Sequence, residues 1–376
     1  MIRYDCRYYI GRKPCKFKRV CEGCPHVDPF DKRILIIKLG ALGDLLRTMP
    51  LLKSLKEAYP HSQVTWITIP SAVPLLQNSP FIDQVWITDE NISTRLLAQK
   101  FDLVLNFDKD TPAPELASLS QALAKKGFGV SPQSGALIAL NAASEYALNL
   151  GLDDNLKFFK NQKTYQHIIH EMAELKVPSP MHSYGFALTD QEKNFSKNYF
   201  STQSVQSGFL LGFNPGAGPV FATKRWILER YTELAVELYK RYKTIPVLFG
   251  GKTEVELNNE FAQRLKAQGV SYLRPGENHS LREFASLLSH CHGVITGDTL
   301  AMHLSLSLNI PTLVLFTSTC AQEIEMYGVG DYLVGKAPCA PCFLSKCFQP
   351  SQICAESISV ATVFEKAAKH FKLYAS

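Results

Sequence analysis

From Ile34 onward, short apolar runs alternate with stretches whose apolar positions recur at helical spacing. The first run, Ile34–Lys38, stops at Leu39-Gly40-Ala41-Leu42-Gly43-Asp44, and Leu45–Tyr59 then carries the helical pattern. Strands are predicted next at Gln63–Thr68, Val85–Ile87 and Asp102–Phe107, with helical stretches between several of them. The rhythm blurs between Ser131 and Ser207, where helices are predicted at Ala142–Leu150 and Thr164–Leu175 and polar residues thicken from Thr189. It restarts at Gly208: strand Phe209–Phe213, loop Asn214–Thr223, helix Leu228–Tyr242, strand Ile245–Phe249 and helix Glu254–Ala267. Strand Ser271–Leu273, helix Ser280–Ser289, strand Gly293–Thr296, helix Thr299–Leu308 and strand Thr312–Phe316 follow. Such alternation predicts an α/β fold with mostly parallel sheets covered by helices on both faces. Ser357–Tyr374 reads as a last helix whose apolar face holds Val360, Val363, Phe364, Ala367, Phe371 and Leu373.

At 376 residues, 46% of them hydrophobic, the chain can bury two cores, so two domains are expected. No apolar run reaches the roughly 18 residues of a membrane span, and the N-terminus lacks the apolar core of a secretory signal. The expectation is a cytoplasmic protein, with room for peripheral contact at the inner membrane.

Charge changes this picture in one place. Residues 1–33 hold nine Lys or Arg against four Asp or Glu, so most of the net +6 belongs to an N-terminal arm. Such an arm could meet anionic headgroups, a phosphorylated glycan or nucleic acid, or form a solvated basic face.

Ligands of open parallel sheets gather at the carboxyl ends of strands, where glycine loops admit phosphate and helix N-termini present free N–H groups. Three segments fit. In Gly40–Asp44, Asp44 opens a helix and reads either as a general base or as an N-cap. The spacing is not G-x-G-x-x-G, which disfavours NAD. In Asn214–Lys224, Gly216 and Gly218 form a turn near Lys224, which reads as a diphosphate ligand or as a solvated cation. In Gly297–His303, Asp298 stands at the sheet edge, Thr299 in the first turn and His303 one turn later; His303 is otherwise a core histidine.

At these residues the sequence resembles glycosyltransferase family 9, the ADP-heptose:lipopolysaccharide heptosyltransferases, from about Ile34 to the C-terminus. The resemblance rests on Ile34–Asp44 with Pro50, on Asn214-Pro215-Gly216-Ala217 with Lys224-Arg225-Trp226, and on Gly297-Asp298-Thr299 through His303 with Pro311. It implies the GT-B architecture: two Rossmann-like domains facing a cleft, acceptor on the first and nucleotide sugar on the second, with a final helix crossing back. It also implies inverting chemistry without a catalytic cofactor. Carried over by position, Asp44 is the base and Lys224 binds phosphates or the transferring sugar. Asp298 holds sugar hydroxyls, Thr299 the diphosphate, and His303 supports the same region. Glu254 matches a nucleotide-ribose contact, against an exposed residue in a first helical turn. Leu300 departs from the family, which often has Gly there.

Eight of the ten cysteines fall into two groups. Cys6, Cys15, Cys21 and Cys24 give C-x8-C-x5-C-x2-C; Cys339, Cys342, Cys347 and Cys354 give C-x2-C-x4-C-x6-C. Thiolates two residues apart can grip one tetrahedral ion. Structural zinc is expected, with iron, an iron–sulfur cluster or free thiols as alternatives; residues 1–33 have too little apolar content for a core of their own. The isolated Cys291 is expected to be buried and inert.

The predicted organisation is a cysteine-rich arm over 1–33, an acceptor domain over 34–205, a nucleotide-sugar domain over 206–338, and a cysteine finger with the last helix over 339–376. The expected activity moves a heptose or similar sugar from an ADP-heptose-like donor to lipopolysaccharide, another cell-surface or lipid-linked glycan, or a protein. A protein acceptor would accord with the cysteine finger, since related protein heptosyltransferases carry one. An inactive GT-B-like scaffold is the competing class, and nucleic acid is disfavoured as a partner. A GT-B epimerase would need further acid/base groups that the sequence does not reveal.

Overall fold

The computed structural model describes residues 1–10, 15–203 and 208–374. They divide into two compact units, 1–185 and 186–376. The expected boundary between 205 and 206 lies outside the described residues. The helix Asp190–Ser201, expected in the first domain, packs on the helix Leu281–Ser289 of the second unit. Its polar sequence hides the reason. Glu192 accepts from the backbone of its own N-cap, Thr189, and also from Arg282, and this cation holds the Glu192 carboxyl at about 2, below the ordinary glutamate range.

The first unit is built on strands β1 (Lys32–Ile37), β2 (Ser62–Thr68), β3 (Gln84–Ile87), β4 (Lys100–Asn106), β5 (Gln121–Val130) and β6 (Leu137–Ala139). Their order is β3-β2-β1-β4-β5-β6, parallel throughout except for β6. Leu35, Ile37, Ile67, Phe101 and Val104 are buried in its core, which explains the unbroken apolar runs. β5 is missing from the expectation because Lys125 and Lys126 interrupt it and much of it is exposed. The helix predicted over Leu45–Tyr59 is two helices, Leu42–Thr48 and Leu51–Ala58. Proline cannot donate an intrahelical hydrogen bond, and Pro50 sits at the break.

The second unit holds β7 (Phe209–Asn214), β8 (Thr244–Leu248), β9 (Gly293–Gly297), β10 (Thr312–Phe316) and β11 (Gly330–Val334), all parallel, in the order β11-β10-β9-β7-β8. Ser271–Leu273, expected as a strand, contributes only a bridge from Leu273 to Val247. The last helix, Val360–His370, inserts Val363 and Ala367 into the core beneath Leu228–Tyr242, so its apolar face is used within this unit.

The arm joins the first unit at its root. Cys6 is buried and bridges Pro29, the Phe30 N–H donates to Asp5, and Arg7 pairs with Asp28 at 3.1 Å while donating to the Ser62 carbonyl. Among the described residues no helix is long and apolar enough to cross a membrane.

In both sheets the strand order reverses beside the first strand, between β1 and β4 and between β7 and β9. Chains leaving the carboxyl ends of two such strands diverge to opposite faces and leave a crevice there. The predicted chemistry falls at these two places.

Candidate active site

At the first switch point, β1 runs into Lys38, whose side chain is buried at 3% exposure. An isolated ammonium there would be costly, and it is paired with Asp108 beyond β4. The other Asp108 oxygen accepts the Leu39 N–H, so one carboxylate ties the ends of both switch strands. Burial alone would pull the Lys38 ammonium down; Tyr165 and the carboxylates of Asp108 and Asp44 outweigh it and hold its pKa above the ordinary value.

Asp44 is the third residue of Leu42–Thr48, and the N-cap position belongs to Ala41, so the capping alternative is set aside. Its carboxylate pairs with Arg47 at 3.0 Å and retains 38% exposure, which leaves it accessible to a hydroxyl. Arg47 lies 4.2 Å over the Tyr165 ring, and the Tyr165 hydroxyl meets Thr48 at 2.9 Å. Lys38, Arg47, Asp108 and Tyr165 were missed as site residues. The signals were a lysine ending an apolar run and an aspartate just beyond another; Tyr165 gave none, because only the fold brings the helix Tyr165–Met172 here.

At the second switch point Asn214, the last residue of β7, is buried and donates from Nδ2 to Thr296 Oγ1 (3.2 Å), Thr299 Oγ1 (3.3 Å) and the Gly216 carbonyl (3.3 Å). One amide thus couples two of the predicted loops. Thr299 is the N-cap of Leu300–Ser307 rather than part of its first turn, and the cap makes no side-chain bond to that helix. Its hydroxyl lies 3.1 Å from Thr296. Lys224 and Asp298 meet at 3.0 Å, both largely buried, beside this helix N-terminus. A Cβ on Gly297 would come within 2.9 Å of the Lys224 carbonyl, so glycine lets the lysine loop approach the sheet edge.

Glu254 is buried, not an exposed first-turn residue. It accepts the N–H of Gly251 at 2.9 Å and of Gly218 at 3.1 Å, and the Thr253 hydroxyl at 2.9 Å. A Cβ on Gly216 would strike its side chain. The carboxylate therefore braces both glycine loops, and Gly218 takes the positive φ of the turn. His303 is buried one turn inside Leu300–Ser307. Asp298, Thr299, Lys224 and Asn214 form one cluster, with Gly216, Gly218 and Glu254 supporting it.

The loop before Lys224 is fastened from the cysteine segment. Thr223 donates to the Leu344 carbonyl, and the Thr223 carbonyl accepts from Gln352 and, at 2.6 Å, from Thr317. Burial pushes the Cys354 thiol up, and the nearby Cys342 and Cys339 add to the shift. All ten cysteines are free thiols. Among the described residues no three His, Cys, Asp or Glu side chains are placed to hold one metal ion, so neither cysteine group forms a ligand set in this structure. Cys291 is buried.

Two doubly wound parallel units with polar clusters at their switch points define the GT-B class of α/β proteins. The chain spans 92% of its length against a family 9 glycosyltransferase from Veillonella parvula, with a TM-score of 0.71, 18% identity and 99% of that chain covered. An Escherichia coli heptosyltransferase solved with ADP aligns over 91% of this chain and 100% of its own, with a TM-score of 0.57 and 15% identity. In sequence it is 24% identical over 351 residues to lipopolysaccharide heptosyltransferase 1 of Pseudomonas aeruginosa, covering 85% of this chain and 89% of that one. The family model for glycosyltransferase family 9 (heptosyltransferase) matches residues 91–352. The chain belongs to that family and is a glycosyltransferase.

Proposed function

We propose that the enzyme transfers a heptose, or a similar sugar, with inversion from an ADP-sugar to a lipopolysaccharide or other cell-surface glycan acceptor. The observation that carries this reading is the Lys224–Asp298 pair beside the N-terminus of Leu300–Ser307, in a chain of this family. An ammonium and free helix N–H groups are what a departing diphosphate needs as it gains charge. That an E. coli fold neighbour was solved with ADP supports ADP as the nucleotide of the donor.

In the proposed reaction an acceptor hydroxyl attacks the anomeric carbon as the bond from that carbon to the diphosphate oxygen breaks. Asp44 takes the hydroxyl proton, with its carboxylate held in place by Arg47 at 3.0 Å. Lys224 and the helix N-terminus receive the charge on the leaving ADP, Asp298 holds sugar hydroxyls, and Glu254 keeps the glycine loops in place.

Thermal unfolding with ADP-, GDP-, UDP- and dTDP-sugars tests this reading. A ligand that binds only the folded chain must raise its stability, by about 2.7 kcal/mol at a hundredfold excess over Kd. The ADP-sugar is expected to give the largest rise; a larger one from another nucleotide would displace ADP. The spacing of the cysteines also supports a structural zinc, or iron, in one or both groups. Elemental analysis of chain purified without added metal is expected to find it, and Cys21→Ser to lower it; folded chain without zinc or iron would end that part of the reading.

A further inference from the structure

The proposed reaction assigns no role to the basic arm, which lies outside the matched residues 91–352. Its root is folded on itself at Cys6 and Pro29 and tied to the rest of the first unit through Arg7, which donates to the Ser62 carbonyl and pairs with Asp83 at 3.9 Å. Its tip is different. Lys16, Phe17, Lys18, Arg19 and Val20 are all exposed in succession, Val20 at 77%. Lys18 takes a left-handed φ of 51° and turns the chain back, with its N–H bonded to the Cys15 carbonyl. Phe17 stacks on His26 at 4.0 Å and meets Tyr8 edge-on at 5.2 Å, so the turn has a small aromatic base that holds its shape. Of the four acids of the arm, Asp5 pairs with Arg3 and Asp28 with Arg7, while Glu22 and Asp31 are exposed. Glu22 is the one exposed carboxylate close by in sequence.

We propose that this tip, Cys15–Val20, docks on an anionic lipid bilayer. Three cations in four residues are attracted to a negative surface, and this attraction falls off within a Debye length. Val20, with the exposed Ile10 of the same arm, supplies aliphatic surface that a purely polar polyanion would leave in water but that the headgroup boundary accepts. The combination of clustered cations with protruding aliphatic side chains favours a bilayer over RNA or a free phosphate. The inference does not rest on the proposed donor or acceptor, because binding is read without either.

The test is sedimentation of the full chain with phosphatidylcholine vesicles, with and without phosphatidylglycerol. The chain is expected to pellet with the phosphatidylglycerol vesicles alone and to be released as salt rises. Joint Lys16→Glu, Lys18→Glu and Arg19→Glu replacement should weaken partitioning on the order of tenfold or more, and Val20→Ser, with all charges kept, several-fold. Lys18→Glu alone should give an intermediate loss and serves if the triple variant does not fold. Unchanged partitioning of the charge variants overturns the proposal. So does loss on charge reversal with no effect of Val20→Ser and with full competition by duplex RNA or inorganic phosphate, which would mark a general polyanion surface.

Discussion

The two switch points have the same topology and opposite chemistry. Beside β1 the groups are ionic: a buried Lys38–Asp108 pair, and the half-exposed Asp44 held by Arg47. Beside β7 a neutral amide, Asn214, bonds two threonine hydroxyls and a carbonyl, next to the largely buried Lys224–Asp298 pair and the buried carboxylate of Glu254. A doubly wound sheet guarantees a crevice and says nothing about what fills it. The first crevice presents an ion-paired carboxylate that stays reachable, which suits taking a proton. The second closes its floor with hydroxyls and an amide and satisfies each of its buried charges internally, Lys224 with Asp298 and Glu254 with the loop N–H groups, which suits a ligand that brings its own charge.

Three measurements would break or sharpen that contrast. Asp44→Asn keeps the shape and removes the base, so turnover should fall about a hundredfold or more while ADP-sugar affinity holds. Equal turnover would remove the proton-accepting role and leave the first crevice without a task. Lys224→Ala should act on the other side, weakening ADP by roughly tenfold. Equilibrium dialysis reads this directly, and an unaltered Kd would place the diphosphate elsewhere. The smallest effect is expected from Asn214→Ala, which leaves the Thr296 and Thr299 hydroxyls short of a buried partner. A stability loss of about 1–3 kcal/mol in urea unfolding is expected, with ADP affinity falling only a few-fold; no change in either would show that the amide does not organise the crevice floor.

The apolar runs made β1, β2, β4, β7, β9 and β10 legible, because most positions of these strands are buried and a strand covered on both faces favours apolar side chains. β5 and β11 were illegible for the opposite reason, since both carry exposed residues. Asp44, Lys224, Asp298 and Thr299 were singled out because loops that follow such strands are the places where side chains can meet a ligand. Glu254 was found with an open role: its pattern admitted an exposed residue, and only packing shows it beneath Gly216 and Gly218. The cysteine spacing was plain, yet the described side chains do not gather into a ligand set.

By itself the sequence determined most of the order of strands and helices, the two-unit α/β class and the loops after the buried strands, since these depend on local periodicity and on rules of chain connection. Tertiary structure alone decided which charges face each other. Lys38 and Asp108 are 70 residues apart, Lys224 and Asp298 are 74 apart, and Thr48 and Tyr165 are 117 apart. The free energy of an ion pair or hydrogen bond depends on distance through space and on burial, and neither quantity is carried by neighbouring residues in the chain.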